Sequence, residues 1–269
     1  MPFRALLLAA ALAMAPLGAT GQSNWESYWA GVVAYLGGDY ARALQEWRPL
    51  AEQGHAQAQS GLGDIFAYGR GVPQNEVEAA VWYRKAAEQG DVLAQFNLAG
   101  MLADGRGVPQ DDMEAASWFR EAAEQGHAFA QASLAMRLFD GQGVPQDDVE
   151  AVHWFRKAAE QDEENSQFFL GFMLETGRGA TQDHVEAAFW YRKAAEQGNA
   201  SAQLFLGVMF ASGRGVPQDD VSAHMWFNLA GAQGDDTARE KRDIIAARMT
   251  PEQIAEAQRL ARGWRPTGD

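Results

Sequence analysis

The chain has 269 residues, with 22 lysines and arginines against 36 aspartates and glutamates, five histidines and no cysteine, for a net charge of −14. An apolar content of 47% supplies a core and excludes wholesale disorder, and at roughly 150 residues per domain the length suggests one or two globular units. The missing cysteine excludes disulfides, thiolate zinc sites, thiol nucleophiles and amino-terminal lipidation, while the acidic balance argues against nucleic acid as a partner.

Residues 1–21 stand apart. Arg4 supplies a basic start, Ala5 to Ala15 is an unbroken apolar run, and Pro16 to Gly21 is small and turn-prone. That is the order of a secretory signal peptide. The apolar run is far shorter than the roughly 20 residues that span a bilayer, and no second one follows. The expectation is cleavage before Gln22, with cleavage after Ala19 the alternative, and a periplasmic or secreted protein with no membrane insertion after cleavage.

From Gly54 to Gly234 the chain repeats itself every 36 residues. GRGVPQ occurs at Gly69, Gly105 and Gly213, with GQGVPQ at Gly141 and GRGATQ at Gly177. AEQG or a close variant ends each unit, and Trp82, Trp118, Trp154, Trp190 and Trp226 form a column always followed by Tyr or Phe. Each unit reads as two helices. In the first, Ala58, Leu62, Ile65 and Phe66 share one helical face, which Gly69 ends in the left-handed conformation. The second opens with an acid or amide and a glutamate three residues on, as in Asn75 and Glu78, Asp111 and Glu114, Asp147 and Glu150, Asp183 and Glu186. That spacing predicts reciprocal capping boxes; Asp219 and Ser222 break it. Arg84 and Lys85 suit the negative end of the second helix. Two further helices are expected at Thr237–Met249 and Pro251–Arg262, polar on one side as a terminal cap must be.

The AxAQxxLG-type stretch (Ala200 to Gly207), the GxGVPQD loop and the second helix AAFWYRKAAEQG (Ala187 to Gly198) resemble the Sel-one-like repeat (SLR) family, a branch of the tetratricopeptide superfamily. The resemblance covers about Asn24 to Trp264. It implies an all-α, right-handed α-solenoid of stacked helix-turn-helix repeats. The organisation expected is a signal peptide over 1–21, a degenerate tetratricopeptide-like repeat over 22–54, five Sel-one-like repeats over 55–234 and capping helices over 235–269. Two units depart from the pattern. The first has a Gly-Gly turn in place of the long loop, and in the fourth Asp162-Glu163-Glu164-Asn165 replaces the small residues that open the first helix.

No constellation for catalysis stands out. GxSxG, GxxxxGK[ST], HExxH and SxxK are all missing. The glycine loops recur at identical positions in five units and open onto acids, which repel phosphate. His55, His127, His153, His184 and His224 are scattered, and the Asp doublets at 111, 147 and 219 suit helix N-termini as well as calcium. No enzyme, metal site or cofactor is expected.

Hairpin stacks bind along the wall formed by their first helices. By analogy with the tetratricopeptide superfamily, the inward positions form three columns: Ser60, Phe96, Ala132, Phe168, Leu204; Asp64, Gly100, Met136, Phe172, Val208; and Ala67, Ala103, Phe139, Glu175, Ala211. With Phe129 they make a wall that is polar or small at its start and apolar from Phe96 onward. Phe96, Phe129, Met136, Phe139, Phe168, Phe172, Leu204 and Val208 are the candidate partner contacts, and the Trp column is structural. Exported members of the family act as scaffolds in envelope signalling, polysaccharide export or motility. The resemblance thus implies a non-enzymatic adaptor for a protein partner, an exported protein or the periplasmic region of a membrane protein. The alternatives are a binder of cell-wall glycan or exported polysaccharide and, last, an enzyme acting on cell wall or β-lactams.

Overall fold

The computed structural model describes residues 19–267, as fourteen α-helices with no strand among the described residues. Residues 1–18 of the expected leader lie outside them. The fold class is all-α, of the hairpin-repeat solenoid kind, and the chain forms two compact units, up to Asp111 and from Asp112 onward.

The first unit contains α1 (Ala19–Leu36), α2 (Tyr40–Glu52), α3 (Ala56–Tyr68), α4 (Glu76–Ala87) and α5 (Val92–Asp104). α1 and α2 join through Gly37-Gly38, with Asp39 capping α2. The Trp47 indole is 4% exposed and donates to the Tyr28 carbonyl at 3.1 Å.

The second unit contains α6 (Asp112–Glu124), α7 (Ala128–Asp140), α8 (Asp148–Ala159), α9 (Glu164–Thr176), α10 (His184–Gln197), α11 (Ala200–Ser212), α12 (Asp220–Ala232), α13 (Asp236–Ala246) and α14 (Pro251–Gly263). Successive helices from α6 to α13 pack against one another.

Each first helix is delimited by local chemistry. His55, Asp91, His127, Glu163, Asn199 and Asp235 hold equivalent positions and each accepts a first-turn backbone N–H. Gly69, Gly105, Gly141, Gly177 and Gly213 end the repeat helices with φ of 62–73°. The second loop glycine has another task. A Cβ at Gly143 would collide with the Asp112 carbonyl, so the loop of one repeat can lie on the second helix of the previous one only without a side chain there.

Three of the predicted capping boxes, at Asn75, Asp147 and Asp183, do not close. Asn75, Asp147 and Asp183 accept the N–H of the glutamate three residues on, at 3.1, 2.9 and 2.9 Å. Their own N–H groups, however, donate to Phe66, Leu138 and Leu174 of the preceding first helix at 2.9–3.0 Å. With that donor committed, Glu150 and Glu186 turn to the Trp154 and Trp190 indoles, at 3.1 and 3.2 Å, and to Arg120 and Arg156 of the preceding repeat. Those guanidinium groups hold both carboxyls below the usual range. Asp219 caps α12 despite lacking a glutamate partner, accepting from Val221 and Ser222.

Leu62, Leu98, Leu134, Leu170 and Leu206 are fully buried, as are Tyr83, Phe155, Tyr191 and Phe227 to within 1%. Trp82, Trp154, Trp190 and Trp226 are 5–8% exposed, and Trp118 is half-buried. A buried glutamine column runs through this apolar core. Within the second unit Gln131, Gln167 and Gln203 each donate to a carbonyl at the end of the preceding second helix, at 3.1–3.2 Å. Each also accepts from the glutamine thirty residues on, at 2.8–3.0 Å.

The altered opening of the fourth repeat is accommodated. Glu163 caps α9, and Asp162 takes the left-handed conformation, φ 62°, that glycine takes elsewhere. At the carboxyl end, α13 and α14 both pack on α12, Thr250 and Gln253 form a true capping box, and Trp264 meets Trp226 edge-on at 6.4 Å.

Candidate binding face

In the second unit the candidate contacts sit on the first helices α7, α9 and α11. Three- and four-residue spacing puts Met136 with Phe139, and Phe168 with Phe172, on one side of their helices. Phe129 is 61% exposed; the other candidates are half-buried. Phe139 and Phe172 meet edge-to-face at 6.4 Å across α7 and α9. Phe168 leans away from them, touching Tyr191 at 5.8 Å and Phe205 of the next repeat at 5.7 Å. Two rings outside the sequence reading complete the assembly. Phe169 touches Phe139 at 6.0 Å and stacks on Phe155 at 5.3 Å, and Phe205 lies 5.4 Å from Tyr191. The signal was available: the column Gly61, Asn97, Ser133, Phe169, Phe205 turns aromatic in its last two members.

Polar groups pin this assembly. The Arg178 guanidinium lies 3.6 Å from the Phe139 ring centre, donates to the Phe139 carbonyl at 2.8 Å and pairs with Asp148. One face of Phe139 is therefore covered. Glu175, whose side chain is 10% exposed, accepts from the Tyr191 hydroxyl at 2.9 Å and pairs with Arg214 at 3.1 Å. Burial, then the Glu175 carboxylate, pushes the Tyr191 phenol up. Leu204 and Val208 pack against the cluster of Ala223, Phe227 and Ile245, so α13 supplies part of their cover.

In the first unit Phe96 is half-buried on α5 and Ser60 is buried. Asp64 accepts from the Tyr83 hydroxyl at 2.6 Å; burial raises its carboxyl, opposed by that bond. Arg70 sits over the rings of Tyr35, Tyr40 and Tyr68 and donates to the Tyr35 hydroxyl. Burial pushes Tyr35 up to about 12. These groups satisfy one another, which makes the cluster a structural one. Among the described residues no three metal-ligating side chains converge. His55 and His127 serve as helix caps.

A run of helical hairpins presenting a side-chain wall defines a repeat scaffold. The chain belongs to the Sel1 repeat family, whose sequence pattern matches residues 56–91, 92–127, 128–163, 165–199 and 200–235. Proteins of this family are generally non-enzymatic protein–protein interaction scaffolds. A Sel1 repeat protein from Oxalobacter formigenes is 32% identical, with 87% of this chain and 98% of that one aligned at a TM-score of 0.76. The protective antigen c5321 of uropathogenic Escherichia coli, with an SLR fold, is 30% identical over 88% of this chain and 68% of its own, at a TM-score of 0.42. No curated relative matches the sequence. No helix among the described residues is long and apolar enough to cross a membrane.

Proposed function

We propose that this protein is a periplasmic adaptor that holds a segment of an exported protein, or of a membrane protein's periplasmic region, against the first-helix wall of its second unit. The observation that carries the reading is the Phe139–Phe172 contact, which joins two consecutive repeats into one apolar edge beside Met136 and the exposed Phe129. A partially exposed apolar edge framed by fixed charges is typical of a protein-binding surface. Flexible Met136 suits ligands of varied shape. A glycan would need flat ring faces, and these rings meet mainly edge-on with Arg178 over one face of Phe139.

Phe139→Asp with Phe172→Asp is expected to abolish crosslinking of partner from envelope extracts while leaving far-UV circular dichroism unchanged. Capture that persists would refute the wall as the binding site. Export is tested by fractionation and amino-terminal sequencing; the mature chain is expected to begin at Gln22.

A further inference from the structure

Helix α13 keeps the register of the repeats but is docked differently from their first helices. Asp235 caps it as Asn199 caps α11, and the Arg239 Nε donates to the Gly231 carbonyl at 2.9 Å as Gln203 donates to Ala195. Arg242, however, stands where Leu62, Leu98, Leu134, Leu170 and Leu206 are fully buried. α13 accordingly buries only Ala238 and Ile245, whereas α11 buries five residues.

The face of α12 that meets α13 is altered at the matching place. His224 occupies the column of Ala80, Ala116, Val152 and Ala188 and is 3% exposed. Its Nδ1 atom is buried with no hydrogen-bond partner among the described residues. One turn further along α12, Asn228 accepts from Arg242 at 3.4 Å, so the guanidinium lies along the side that carries the imidazole. Asp243 points outward, 70% exposed, and is held by Arg242 through two bonds at 3.0 and 2.8 Å. The other charged neighbours are committed elsewhere. Asp220, one turn before His224, is taken by Arg248, and α11 has no titratable side chain. On α13 Arg239 pairs with Asp236, and neither Glu240 nor Lys241 acts on the ring. On α14 Glu256 pairs with Arg259, and Glu252 and Arg262 are exposed. Burial, then Arg242, lowers the imidazole, with Asp243 opposing. A charged ring carries a proton on both nitrogens, so Nδ1 would become a buried donor with no acceptor, beside a cation.

We propose that α13 is a clasp that acid opens: protonation of His224 detaches α13 from α12 and uncovers Phe227 together with Leu204 and Val208 of α11, which share a cluster with Ile245. Release hydrates the ring, so the open form binds the proton more tightly than the closed one. The closed form is therefore complete above about pH 6.5 and loses ground below it. Arg248, tied to Asp220 and to the Ala211 carbonyl, and α14, packed on α12, hold the far end and keep the opening local. The clasp does not depend on the Phe139–Phe172 wall having a partner.

Hydrogen exchange of the full chain, read by mass spectrometry at pH 7.5 and pH 5 and corrected for intrinsic rates, tests this. Protection of residues 236–247 is expected to fall about fivefold or more at pH 5 while that of α9 and α11 holds. His224→Ala, the residue of three other repeats, and His224→Gln, closer in size and uncharged, should each abolish the difference. His55→Asn with His127→Asn should leave it intact, which separates the clasp from the helix caps. A fall shared evenly from α7 to α13, or a difference that survives either substitution of His224, would overturn the proposal.

Discussion

The indole N–H of Trp154 donates to Glu150 at 3.1 Å, and the same carboxylate receives the Arg120 guanidinium from the preceding repeat. One side chain therefore orients the tryptophan within its own helix and ties that helix to its neighbour. Trp154 is 5% exposed, and Phe155 beside it is 1% exposed.

Trp154→Ala is expected to cost about 3–5 kcal/mol, the usual range for truncating a buried tryptophan. Trp118, half-buried and bonded to Glu114 in the same way at 3.2 Å, should cost less. Urea unfolding followed by circular dichroism checks both. Equal losses would mean that the polar tie, present at both sites, outweighs burial.

The glutamine column makes a second prediction. Gln203 is fully buried, donates to the Ala195 carbonyl at 3.2 Å and accepts from exposed Gln233 at 3.0 Å. Gln203→Leu keeps the volume and removes both bonds, so a loss of about 1–2 kcal/mol is expected. Gln233→Leu, which deletes an exposed partner, should cost no more than about half of that. A stabilised Gln203→Leu variant in urea melts would show that the column is only tolerated.

Ser166 occupies the position held by Ala58, Ala94, Ala130 and Ala202. It is fully buried, and its hydroxyl has no hydrogen-bond partner among the described residues. Ser166→Ala removes a desolvated polar group without opening a cavity larger than one oxygen. A gain of up to about 1 kcal/mol is expected, read as a raised thermal midpoint. A lowered midpoint would reveal a partner for the hydroxyl.

The hairpins were legible because their signals are local and recur at one spacing. Gly69 and its equivalents need positive φ, Asp147 and Asp183 cap the helix they precede, and Leu62 with Ile65 and Phe66 marks a buried face. The destination of Glu150 was not legible. A capping box needs only local geometry, but the Asp147 N–H is taken by Leu138, a partner supplied by tertiary packing. No local signal marks the buried glutamines for the same reason, since their partners lie in the neighbouring repeat. At the candidate wall, Met136, Phe139 and Phe172 stood out against their columns. Phe169 and Phe205 fall one residue past the expected inward positions; their column turns aromatic there, and the contacts with Phe155 and Tyr191 give that change its meaning.

Acidification should act through the histidines. The Nδ1 atoms of His55 and His127 accept the backbone N–H groups of Ala58 and Ala130 at 3.3 and 3.2 Å, which requires the neutral ring. Burial lowers both imidazoles from 6.5, and it lowers His224 as well, with Arg242 adding to the effect there. Between the folded values and 6.5 the unfolded chain binds more protons, so stability is complete above about pH 6.5 and declines as pH falls below it. Asn199 holds the same capping position in the fifth repeat without titrating in this range. His55→Asn with His127→Asn should keep both caps and flatten the difference in urea midpoint between about pH 7.5 and pH 5. His224 would account for the slope that remains. A difference as large as in the unaltered chain would show that neither cap senses pH.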